Sequence, residues 1–141
     1  MAPEPGVGHA RLDADSPERF VPLRSELGVS SFGINQMILQ PGQRGRIHRH
    51  ERQEEVYLVL EGELTVAIEG EERSLRNGEL LRVGPELKRQ LINRSGGRVV
   101  VLALGGAGEH RGRDGEAFTG WDQSEGAPPQ EVPLPEDLPA G

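Results

Sequence analysis

The sequence predicts an all-β domain, either a sandwich or a closed barrel. Three observations carry that reading. Glycine and proline supply 31 of the 141 residues and, in the middle of the chain, fall at short and regular intervals. The runs between these breakers have strand length and are rich in Val, Ile and Leu. Helical periodicity is weak, with one faint signal at Ser16-Pro17-Glu18, where Ser would cap a helix and Pro would occupy its first turn.

Taken in order, the first long strand is expected over residues 29–40 and ends at Pro41-Gly42. Residues 55–60 and 64–68 read as a hairpin around Glu61-Gly62-Glu63. A strand over 72–75 follows Gly70, and Asn77-Gly78 turns into 79–83. Gly84-Pro85 breaks that strand, 89–93 is next, and Ser95-Gly96-Gly97 turns into 98–104. Seven or so short strands at this cadence fit a sandwich or barrel of one domain. Two of them are apolar on both faces. Val56, Leu58 and Leu60 alternate with Tyr57 and Val59, and residues 98–104 show no polar side either. An outer cover is therefore expected, from a second copy of the chain as a homodimer or from a terminal arm.

The charge divides the chain. With 16 Lys and Arg against 23 Asp and Glu the net charge is −7. Residues 122–141 hold five acids, five prolines and no Lys or Arg, which leaves the body near balance. The expected organisation is a flexible arm over 1–15, a barrel domain with an aromatic extension over 16–121, and an acidic proline-rich tail over 122–141. The tail reads as extended or disordered, although Val132, Leu134 and Leu138 offer it a way to dock. Phe118 and Trp121 are expected to anchor the extension. The acidic balance, and arginine clusters without interleaved aromatics, argue against nucleic acid. No run approaches the ~18 apolar residues of a membrane span. The first residues lack an export pattern, so the expected compartment is the cytoplasm. Without cysteine there is no thiolate chemistry, and any metal must be held by His and carboxylates.

Two of the four histidines, His48 and His50, stand two apart and share a face of an extended strand. A carboxylate follows at Glu54 or Glu55. Two imidazoles and one carboxylate are a ligand set suited to divalent Fe, Mn, Zn or Ni. A solvated basic patch is the plainer reading, because Arg44, Arg46, Arg49 and Arg52 surround the pair. His9 and His110, in flanking segments, read as solvated.

Residues 42–62 resemble the first motif of the cupin family, Gly-x5-His-x-His-x3-4-Glu-x6-Gly, through Gly42, His48, His50, Glu55 and Gly62. The resemblance spans about residues 29–104 and implies a double-stranded β-helix, or jelly roll, with the site inside. It also selects Glu55 rather than Glu54 as the ligand carboxylate. The second motif, Gly-x5-Pro-x-Gly-x2-His-x3-Asn, is only partly present. Gly78 and Asn93 keep the spacing, but Gly84 and Glu86 replace Pro and Gly, and Arg89 stands where the family has its fourth ligand. A guanidinium stays charged and does not ligate a metal cation.

The resemblance therefore implies two outcomes. Either His48, His50 and Glu55 hold a divalent ion while Arg89 turns aside or binds an anionic substrate, or Arg89 neutralises Glu55 and the barrel works without metal. His48, His50 and Arg89 are the catalytic candidates, and Arg89, Tyr57 and Arg46 the expected substrate contacts. No organic cofactor is implied. The expected activity is that of a dioxygenase-like or isomerase-like cupin acting on a small polar or anionic metabolite. A metal-free ligand-binding or sensing module and a metal-free sugar epimerase or isomerase are the alternatives.

Overall fold

The computed structural model describes residues 5–106 and 114–139, so His110 lies outside the described residues. Ten strands are ordered among them: β1 (Phe20–Pro22), β2 (Gly33–Leu39), β3 (Ile47–His50), β4 (Glu54–Glu61), β5 (Glu63–Ile68), β6 (Glu71–Arg76), β7 (Leu80–Val83), β8 (Arg89–Ile92), β9 (Val99–Gly106) and β10 (Gly115–Phe118). They form two antiparallel five-stranded sheets, in the orders β1-β2-β9-β4-β7 and β10-β3-β8-β5-β6. The all-β jelly roll implied by the sequence is the observed architecture.

The inner faces meet in one core. Leu39, Tyr57, Val59, Val99 and Val101 from the first sheet pack with Leu64, Val66 and Leu91 from the second, all at 0–1% exposure. Each such side chain contributes on the order of 1.5–3 kcal/mol by leaving water. Period-two alternation places them there: in β4, Tyr57 and Val59 face inward while Val56 and Leu58 face out.

Three local expectations are corrected. β4 and β5 are not a hairpin, because β4 pairs with β9 and β7 while β5 pairs with β8 and β6. The chain changes sheets between them, past a register shift at Val59/Glu61 and through Gly62. Gly62 has φ +84, and a Cβ there would lie 2.4 Å from the Arg98 carbonyl oxygen, so only glycine fits this corner. The faint helix at Ser16 is absent. Ser16 Oγ instead accepts the Glu18 N–H at 3.2 Å in a local turn, and among the described residues the α-helical turn is α1 (Arg24–Leu27). Finally, β1 and β10 were not expected as strands. Both are short and lie at the edge of a sheet, where pairing on one side suffices to order them.

The described segments before β1 and after β10 both lie against the sheets. Asp13 exchanges two hydrogen bonds with the Gln36 side chain on the outer face of β2, at 2.7 and 2.8 Å. Beyond β10, Ala127 bridges Ala117, and a 3-10 turn at Pro129–Glu131 leads into a segment held by residues 42–46, just before the strand that carries the histidines. Arg46 Nε donates to the Val132 carbonyl at 2.6 Å, Arg44 Nη2 to the Glu136 carbonyl at 2.7 Å, and the Leu138 N–H to the Gly42 carbonyl at 2.7 Å. Phe118 is buried under Lys88, whose Nζ lies 4.2 Å from the ring centroid, while Trp121 is half-buried.

Candidate metal centre

His48 and His50 project from β3 into the space between the sheets, and Glu55 reaches them from β4 in the opposite sheet. The three residues between the strands make the crossing, so a motif of eight residues spans the interior. One ligand atom from each of His48, His50 and Glu55 lies within 4.8 Å of the others. Glu55 Oε1 is 3.2 Å from His48 Nε2 and 3.1 Å from His50 Nε2. Tyr57, two residues along β4 on the same face, donates its hydroxyl to Glu55 Oε1 at 2.6 Å. On the far side His50 Nδ1 lies 2.8 Å from Asp114 Oδ1.

These distances fit a divalent ion. Cis ligands about 2.1 Å from an octahedral metal lie about 3 Å from each other, close to the observed N···O spacing. The proton positions fit as well. His48 Nδ1 faces the Arg46 carbonyl oxygen at 3.2 Å, a group that only accepts, so that nitrogen carries the ring's proton. Its Nε2 then turns a lone pair toward a carboxylate oxygen, and the two repel unless a cation stands between them. His50 Nε2 is buried and, among the described residues, has no hydrogen-bond partner despite its closeness to Glu55. Either a proton or a metal ion reconciles the group.

Without metal, protons take that part. Burial pushes the Glu55 carboxyl up, but the hydrogen bonds and positive charge of His48 and His50 outweigh it and hold it well below its ordinary value. Burial pushes His50 down, and the adjacent carboxylates of Glu55 and Asp114 overcome this to leave it raised. Tyr57 is driven well above its ordinary value by burial and by the Glu55 charge, so it remains a proton donor.

Arg89 stands directly opposite His48 in the β3–β8 pairing, with 0% exposure. Its guanidinium is turned away from the ligands. Nη1 donates to the carbonyls of Leu87 (2.8 Å) and Pro85 (3.2 Å), and Nη2 to those of Gly84 (3.2 Å) and Val83 (3.3 Å). Only Nε faces the centre, 3.6 Å from Glu55 Oε1 and unpartnered among the described residues. The structure thus gathers His48, His50, Glu55, Tyr57 and the Nε edge of Arg89. Arg46 is half-buried, and its Nε is spent on Val132. His9 is exposed. An open cleft of about 500 Å³ lined by Arg49, His50, Asp114, Gly115, Glu116 and Pro128 leads to the His50 side of the centre. Sequence reasoning missed Asp114, which lies 64 residues from His50 and carries no spacing signal.

A model of the Cupin domain matches residues 35–105, half of the chain. The protein belongs to the cupin family. Among solved structures, this cupin resembles a cupin protein from Bacteroides fragilis at 25% identity and TM-score 0.66, over 84% of this chain and 95% of that one. It resembles the Cupin domain of an XRE-family transcriptional regulator from Enterobacter cloacae at 27% identity and TM-score 0.56, over 63% and 97%. A sugar phosphate isomerase of the cupin superfamily from Silicibacter pomeroyi aligns at 22% identity and TM-score 0.62, over 78% and 76%, a likeness of fold. No curated protein sequence matches the chain. Among the described residues no helix is long and apolar enough to cross a membrane.

Proposed function

We propose that this cupin holds a divalent metal through His48, His50 and Glu55 and binds and transforms a small polar or anionic metabolite there, in the manner of a dioxygenase or an isomerase. One observation carries the reading: two imidazole Nε2 atoms converge on a single Glu55 oxygen at 3.1–3.2 Å, with His48 oriented so that its lone pair faces the carboxylate, as ligands sharing one ion do. The ion, whether Fe, Mn, Zn or Ni, would supply Lewis-acid chemistry to a ligand in its remaining positions. The chain supplies the rest. The Tyr57 hydroxyl fixes the carboxylate, and the Arg89 charge beside it favours an anionic ligand. Arg49 at the rim of the cleft, 3.3 Å from Glu116, guides that ligand inward.

A metal-free binding module is the second reading, and it too has support. The Glu55 oxygen already accepts the Tyr57 hydroxyl, and a second proton on His48, carried at Nε2, would complete the group within the chain. Metal analysis of protein purified without a polyhistidine tag separates the two. Near-stoichiometric metal that disappears in His48→Ala and Glu55→Ala supports the enzyme reading, and failure to bind any of the four ions after loading leaves the binding module.

The working unit in this proposal is a homodimer. The N-terminal segment covers β2, but Val56, Leu58, Leu102 and Leu104 on the outer faces of β4 and β9 stay half-buried, flanked by Leu80 at 62% exposure and Phe32 at 37%. Arg82 and Glu54, 2.8 Å apart on this face, are opposite in sign and so complement their own copies across a two-fold axis. Leu80→Glu should shift sedimentation from dimer to monomer, and an unchanged sedimentation coefficient would rule this surface out.

A further inference from the structure

Asp114 lies beyond the residues matched by the Cupin domain and before β10, yet its carboxylate is the most fully satisfied group near the centre. Oδ1 accepts from Gln53 Nε2 at 2.7 Å and faces His50 Nδ1 at 2.8 Å, while Oδ2 accepts the backbone N–H groups of Arg52 and Gln53 at 3.0 Å each. The side chain is 9% exposed. Four donors on two oxygens leave the carboxylate one orientation. They also tie the connection between β3 and β4 to the start of β10, so that both ligand strands are referred to one anchor.

A carboxylate only accepts, so the His50 proton resides on Nδ1 and Nε2 is left bare. We propose that Asp114 is the positioning residue of the metal centre: it locks His50 in the tautomer whose Nε2 ligates and sets the angle of the ring. This rests on the metal reading given above. The two imidazoles are thereby unequal. His48 leans on a neutral backbone carbonyl, whereas His50 leans on a charged carboxylate that raises its strength as a ligand.

Asp114→Asn tests this sharply. Asparagine has one accepting oxygen, and the N–H groups of Arg52 and Gln53 claim it. The amide NH2 then faces His50 Nδ1, which must accept, and the proton moves to Nε2, where it blocks ligation. Asp114→Ala merely removes the partner. Nitrogen-15 NMR of the metal-free chain, at a pH that keeps the rings neutral, reads the tautomer. Titration calorimetry with Mn2+ reads the affinity. The wild type should show the Nδ1–H form of His50 and Asp114→Asn the Nε2–H form, with His48 unchanged. Affinity should fall about 10–100-fold in Asp114→Ala and further in Asp114→Asn. An Nε2–H His50 in the wild type, or a variant that keeps wild-type affinity, overturns the proposal. Should the wild type bind no divalent ion, the metal reading fails by itself, and the NMR arm still decides whether Asp114 sets the tautomer. The wild-type spectrum needs no variant to fold.

Discussion

Strands β3 and β4 keep every ligand position of the cupin pattern, whereas β8, paired with β3 at His48 and Arg89, gives its place to a cation. The two regions face the same interior and do opposite work. On β3 and β4 the polar atoms converge on an oxygen and leave lone pairs for something to bind. On β8 the polar atoms diverge, and Arg89 spends four N–H···O bonds on the carbonyls of residues 83–87. Loss of a ligand has therefore not emptied the position. A guanidinium with five donors now fastens the loop after β7, and only its Nε edge remains in the site.

The largest effect should come from breaking the β8 side. Arg89→Ala strands four carbonyls and leaves Glu55 without its neighbour, so urea denaturation should show a loss of about 3–5 kcal/mol. A loss below about 1 kcal/mol would mean that the loop holds itself. On the β3–β4 side, Glu55→Ala should abolish metal binding and cost the metal-free chain about 1–3 kcal/mol, because the Tyr57 hydroxyl and His50 lose their partner. Tyr57→Phe is milder, at about 0.5–1.5 kcal/mol without metal and little change in metal stoichiometry, since the hydroxyl supports the ligand and is not one itself. If that variant lost the metal, Tyr57 would have to be counted among the ligands.

A pH series sharpens the comparison without mutation. Glu55 is depressed in the fold, so its contribution is present above its ordinary value near 4.5 and is lost as pH falls through the lowered one. His50 is raised, so its contribution is complete below 6.5 and is lost as pH rises through the folded value. The metal-free chain should thus have its highest thermal midpoint between about 4.5 and 6.5. Metal needs bare imidazoles, so the increment it adds should grow from about pH 5.5 to about pH 8.5. Parallel curves with and without metal would contradict the assignment of the centre. The smallest effect belongs to Arg19–Asp137, 3.6 Å apart and open to water, where Asp137→Ala should cost under about 1 kcal/mol.

Much of this was legible in the residues. The breakers and apolar alternation located seven of the ten strands, because local sequence decides where a strand can run. The group of His48, His50 and Glu55 was legible for the same reason, since the three lie within one short stretch and a two-residue period sets their faces. What stayed hidden depends on distant partners. Nothing near Gly62 tells a hairpin from a corner, because the deciding neighbour is the Arg98 carbonyl. Nothing at Asp114 names His50. Nothing at Arg89 says which way its guanidinium turns, because that depends on where Val83, Gly84, Pro85 and Leu87 leave their carbonyls.

The C-terminal segment is gripped through its main chain. Arg44 and Arg46 hold the carbonyls of Glu136 and Val132, and Gly42 takes the N–H of Leu138. A tether of this kind is largely indifferent to the side chains it holds, the buried Val132 excepted. Most positions along the segment are therefore free to drift in identity, or to accept labels and new binding groups, while the backbone stays docked beside the histidine strand. The end of this chain is a place where new specificity can be written without disturbing the centre.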